Sequence, residues 1–264
     1  MKISYASDLH LEFNSYLEIH NTNQSDVLIL AGDIIPINIF EMAFISQNCI
    51  YNNYGYVIDF FKIVSKEFKH VIYVAGNHEF YKSDINDIVK LKLMLKKFKN
   101  IHVLDNESIV IEDNLFIGGT CWTNINDPEL INAAIEKFND YKYISNFNKL
   151  LSPSDTILKY ETFIEYLTET IKAKTVNGKT IVITHHCPSK QGIPDKYKNN
   201  FWNDLFTNDL DEYIADSGID YFVYGHTHDF PRVYEINKTT VMSNVYGYPT
   251  EEFGDDFSLM WFEV

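Results

Sequence analysis

Arginine is almost missing from this chain of 264 residues, which holds one, Arg232. A lone guanidinium excludes a cluster of planar forks gripping phosphate bidentately, so any phosphate must be held by other groups. Positive charge is scarce in general, and the formal net charge is −15. Duplex nucleic acid, which proteins bind largely through many Lys and Arg contacts to the backbone, is therefore not an expected partner. Cysteine is sparse too: Cys49, Cys121 and Cys187 form no CxxC pair, which argues against a disulfide framework or a thiolate zinc site. No apolar run approaches the ~18 residues of a membrane span, and MKISYASDLHLEF has Asp and His where a signal peptide has its apolar stretch. The expectation is a cytoplasmic protein away from membranes. Repeats, low-complexity tracts and Gly/Ser linkers are absent as well, so a single domain over residues 1–264 is expected.

What is present is a series of short apolar, β-branched runs at 2–6, 27–31, 71–75, 180–184 and 221–224, each followed by polar residues. These read as buried strands. Helical spacing recurs between them, as in Ile85, Ile88, Leu91, Leu95 and Phe98 behind Ser83 as N-cap, and in Leu210 and Ile214 after Thr207. Further strands at 101–104, 108–119, 232–236, 240–244 and 257–262 imply a second sheet. The predicted class is α/β, a sandwich of two mixed sheets flanked by helices. Residues 121–173 interrupt the rhythm with two helical stretches, the second after Ser152-Pro153-Ser154. They read as an insertion capping the site, although the second stretch equally suits a helix that merely covers a sheet.

Each main strand run ends in residues that bind metals: Asp8 and His10, Asp33, Asn77 and His78, His185 and His186, His226 and His228. Ligands gather beyond the carboxyl ends of strands in α/β sheets, so these segments can converge on one crevice. Six of the nine histidines lie in them. Carboxylate, imidazole and amide oxygen suit divalent ions such as Mn²⁺, Fe²⁺ or Zn²⁺, with Mn²⁺ preferred, and seven ligands exceed what one ion needs. Two ions bridged by a carboxylate would use them all, gripping phosphoryl oxygens while a bridging water becomes hydroxide. Neighbours on an extended segment point to opposite sides, which favours His185 over His186 as ligand.

The ordered set DLH, GD, GNHE, HH and GHTH resembles the calcineurin-like metallophosphoesterases. That resemblance implies one metal on Asp8, His10, Asp33 and His228, with Asp33 bridging to a second on Asn77, His185 and His226. It implies His78 as general acid, with Glu79 orienting it. SDLHLEF, Trp122, Asp140 to Ile144, THHCPS and GYP resemble a branch of small cytoplasmic or phage-borne members. His186, Trp122 and Tyr143, in or beside these motifs, are candidates for substrate contact. The implied function is hydrolysis of phosphodiester or monoester bonds of small nucleotide-like substrates. GDIIPIN and VAGNHE stand where protein phosphatases of the family carry GDYVDRG and RGNHE, which makes a phosphoprotein phosphatase the lesser alternative. A non-catalytic metal-binding scaffold is the alternative from another class.

Overall fold

Short β-branched segments with apolar residues on both faces can be satisfied only when both faces are covered, and the computed structural model places them so. It describes residues 1–15, 17–46, 54–251 and 257–264; Cys49 lies outside the described residues. Lys2–Ala6 (β1), Val27–Ala31 (β2), His70–Val74 (β3) and Ile101–Val103 (β4) form a parallel array, with Met260–Glu263 antiparallel against β1. A second sheet is built from Glu107–Ile111 (β5), Asn114–Gly118 (β6), Thr180–Ile183 (β9), Tyr221–Tyr224 (β10), Arg232–Ile236 (β11) and Thr239–Ser243 (β12). Its order is β11-β12-β10-β9-β6-β5, parallel inside and antiparallel at both edges. Ser145–Asn146 (β7) and Lys149–Leu150 (β8) make a small ribbon outside both sheets.

Alternation along the strands fixes the layers. Val27, Ile29 and Ala31 of β2 meet Phe116, Ile181, Ile183 and Val223 of the second sheet in a shared core. Leu28 and Leu30 face outward onto the helices Ile37–Ser46 (α1), Gly55–Glu67 (α2) and Ile88–Leu95 (α3), through Phe40, Phe61 and Leu91. Each such apolar side chain contributes roughly 1.5–3 kcal/mol on burial. On the far side, Ile117, Val182 and Phe222 are covered by Phe163, Leu167 and Ile214. These come from Pro153–Lys172 (α6) and Asp211–Ser217 (α7). The expected two-sheet sandwich flanked by helices is the fold.

Local chemistry moves some boundaries. The segment 108–119 divides into β5 and β6 at Glu112 and Asp113, both with positive φ, which is the geometry of a tight hairpin turn. The helix expected to follow Ser83 begins only at Ile88. Ser83 and Ile85 are taken by backbone bonds to Ser145, and the Asp84 and Asp87 carboxylates accept N–H groups of the intervening turn.

The 121–173 segment proves to be two different things. Pro128–Lys137 (α4) and Asp140–Tyr143 (α5) pack their Leu130, Ala134 and Tyr141 with the core outside the first sheet. The long α6 lies on the second sheet, started by a reciprocal cap between Ser152 and Asp155 with Pro153 in its first turn. Through Phe163 and Leu167, α6 covers that sheet.

Candidate metal centre

Because the inner strands run parallel, the turns after β1, β2, β3, β9 and β10 all open at one edge of the sandwich. Asp8, His10, Asp33 and His226 sit there with φ of 53°, 43°, 55° and 66°. Such left-handed backbone is uncommon outside glycine and collects at functional sites. Gly32 shares it at +89°. Gly76 instead supplies space, since a Cβ there would strike the Asp33 carboxylate.

All seven sequence-derived ligand residues come together, all but one of them buried. Asp33 stands between two groups. Its Oδ2 lies 3.8 Å from His10 Nε2, which is 3.4 Å from His228 Nε2, itself 3.2 Å from Asp8 Oδ1. Its Oδ1 lies 3.3 Å from His185 Nε2, which is 3.1 Å from both Asn77 Oδ1 and His226 Nδ1. Imidazole nitrogens facing one another beside carboxylate oxygens are donors pointed at common centres, a set that fits two divalent cations sharing Asp33.

Outer partners fix which nitrogen faces inward. His185 Nδ1 donates to the Ala31 carbonyl at 2.9 Å, His228 Nδ1 to Glu251 at 2.8 Å and His10 Nδ1 to Glu12 at 3.2 Å, leaving each Nε2 for the centre. Asn77 gives its amide N–H to Asp140 at 2.8 Å, which turns its oxygen inward. Burial would raise the Asp33 carboxyl, but the imidazoles of His185, His78 and His10 outweigh it and hold the group well below the usual carboxylate range. Burial and the neighbouring His186 and His185 push His226 far down, keeping it a neutral donor.

His186 belongs to none of the donor groups. Its Nδ1 meets the Thr120 carbonyl at 3.4 Å, its ring lies against His226 and Trp122, and burial beside His185 pushes it down to about 3. His185, by contrast, is grouped with Asp33 and His226 as a possible donor set. The expectation of substrate contact by His186, Trp122 and Tyr143 needs correction: none of the three lines the cleft. His186 and Trp122 are buried beneath it, and Tyr143 is exposed outside it.

Glu79 is also corrected. Its carboxylate accepts the N–H groups of Asp33, Ile34 and Gly76 at 2.9, 2.7 and 2.7 Å and the Tyr73 hydroxyl at 2.7 Å. It ties two ligand turns together and does not orient His78. Burial and nearby Asp33 push it up to about 7, although four donors favour its ionised form. His78 Nδ1 instead lies 3.3 Å from Glu12 Oε1 and its Nε2 3.2 Å from the Tyr248 hydroxyl, while its ring stacks on Tyr81. His78 is near enough to His10 and Asp33 to be grouped with them as a metal donor, but both its nitrogens already have these partners.

Above the floor is a cleft of about 570 Å³. One wall is the α4–α5 corner, Lys137, Phe138 and Asn139; another is the stretch of short helical turns carrying Tyr197, Trp202, Asn203 and Phe206. Tyr248 and Glu251 close the side next to His228. The sequence reading did not single out residues 193–206, or Glu12, Asp140 and Glu251 as partners of the candidate ligands. Glu12 and Asp140 lay within quoted motifs, which was the available signal.

The family model Calcineurin-like phosphoesterase matches residues 1–230. An uncharacterized protein, L509, of Acanthamoeba polyphaga mimivirus is 30% identical over 269 residues, covering 94% of this chain and 92% of its own. Among solved structures, a phosphopantetheinyl hydrolase from Mycobacterium tuberculosis superposes with a TM-score of 0.67 at 14% identity, over 99% of this chain and 95% of that one. A dimetal phosphatase from Danio rerio does so at 0.51 and 12% identity, over 99% and 91%. At such identities these structures speak for the fold. No helix among the described residues is long and apolar enough to cross a membrane.

Proposed function

The chain belongs to the calcineurin-like phosphoesterases and is a metal-dependent phosphoesterase, and we propose that it hydrolyses phosphodiester or monoester bonds of small, nucleotide-like molecules. The observation that carries this is Asp33, whose two oxygens face separate sets of nitrogen donors on the floor of a cleft of ligand size. Asp8, His10, Asp33 and His228 would hold one ion, and Asp33, Asn77, His185 and His226 the other, with Mn²⁺ preferred over Fe or Zn²⁺. Bound there, the ions supply positive charge to the phosphoryl oxygens and acidify water to a nucleophile.

The protein's own groups do the rest. His78 lines the cleft with Nε2 beside Tyr248, placed to hand a proton to the departing ester oxygen. Trp202, Phe206 and Phe138 line the cleft as aromatic rings on which a flat base could stack, and Asn139 and Asn203 are amides that line it too. Lys137 is the one lysine or arginine among the described lining residues, and Arg232 is engaged by Asp229 outside the cleft. A phosphoprotein is therefore the poorer fit.

The test is a substrate panel on enzyme reconstituted with Mn²⁺ or Mg²⁺. A nucleoside 5′-(p-nitrophenyl phosphate) should exceed methyl p-nitrophenyl phosphate in kcat/KM by about tenfold or more, from base stacking. Mn²⁺ should support more activity than Mg²⁺, because imidazole favours the transition ion. Equal kcat/KM for the two esters would sink the nucleotide reading. Faster turnover of a phosphopeptide or of a phosphopantetheinyl ester would replace it.

A further inference from the structure

One carboxylate oxygen serves two histidines with separate tasks. Glu12 Oε1 lies 3.2 Å from His10 Nδ1 and 3.3 Å from His78 Nδ1, and Glu12 is only 7% exposed. Its other oxygen, Oε2, is buried without a partner, so Oε1 makes the contacts that hold this buried carboxylate in place. A carboxylate oxygen has two lone pairs and can accept from both rings at once. Each bond settles the direction of the opposite nitrogen. His10 then turns Nε2 toward Asp33 Oδ2, and His78 turns Nε2 toward Tyr248 and the cleft.

We infer that Glu12 is the positioning residue for the proton donor His78, coupling that ring to the metal ligand His10. Glu79, next to His78 in sequence, is occupied by backbone N–H groups of the ligand turns. Without Glu12, His78 keeps its stacking on Tyr81 and Tyr248's hydroxyl, and neither selects which nitrogen carries hydrogen. The inference rests on His78 acting as proposed above.

Glu12→Leu keeps much of the side chain's size and removes both acceptor oxygens, whereas a glutamine could keep its carbonyl oxygen where Oε1 now accepts. Both ions should stay bound, as measured by elemental analysis. Turnover of an alkyl ester of a nucleotide should fall about 10–100-fold at unchanged KM, the usual cost of losing such a supporting partner. A p-nitrophenyl ester, whose leaving group hardly needs the proton, should fall much less. Glu12→Asp should lie between wild type and Glu12→Leu. Separately from catalysis, nitrogen NMR on the metal-free, ¹⁵N-histidine-labelled protein should show His78 with hydrogen on Nδ1, and that signature should be lost in Glu12→Leu. An unchanged His78 signature, or an equal loss on both esters, would overturn the inference; loss of metal would assign Glu12 to His10 alone. Should wild type cleave neither nucleotide ester, the functional reading fails while the spectrum still decides the role of Glu12.

Discussion

Asp8, Asp33, Asn77, His185 and His226 each stand within three residues of a strand end, whereas Tyr197, Trp202 and Phe206 stand in a run of short helical turns far from any. The floor of the cleft is therefore set by the sheets, and its walls by side-chain packing between irregular segments. Rigid elements hold a metal centre to the tolerance it needs, while loops can vary without disturbing it. Floor and wall should thus fail differently when altered.

The largest effect is expected at the bridge. Asp33→Ala should abolish turnover of every phosphate ester and release both ions, because one carboxylate serves both donor sets. Full retention of metal in elemental analysis would mean that the floor does not share Asp33.

That floor was readable because each candidate ligand lies in a short motif joined to an apolar run, so strand and chemistry appear together in the sequence. The supporting contacts were not. Asn77 meets Asp140 across 63 positions and His78 meets Tyr248 across 170, and nothing local announces such pairs. Adjacency misled in two places: Glu79 follows His78 yet turns to backbone amides, and His186 follows His185 yet points into the core. The sandwich itself was legible from continuous apolar strand runs set between helical patterns. The walls were not, since residues 193–206 carry no periodicity to read.

A wall residue should respond in binding alone. Trp202→Ala should raise KM for a nucleoside ester roughly tenfold, given stacking worth about 1–3 kcal/mol per base, and leave metal content and methyl p-nitrophenyl phosphate kinetics unchanged. A fall in kcat on both esters would show that wall and floor are not separable. The smallest effect is expected at the start of α6, which belongs to neither. Ser152→Ala removes its cap and should cost about 1 kcal/mol in denaturant unfolding with no kinetic change. Altered substrate preference would instead make α6 part of the cap.

The donors come from turns of both sheets: β1, β2 and β3 on one side, β9 and β10 on the other. No partly folded chain with a single sheet has the full set. Cations therefore act as a clasp on the docked sandwich, and their concentration enters the folding equilibrium of the whole chain. A free-ion level a hundredfold above the dissociation constant of one site adds about 2.7 kcal/mol to the stability of the native state. Metal starvation would then be felt first as a protein that unfolds more often, in its turnover by proteases as much as in its chemistry.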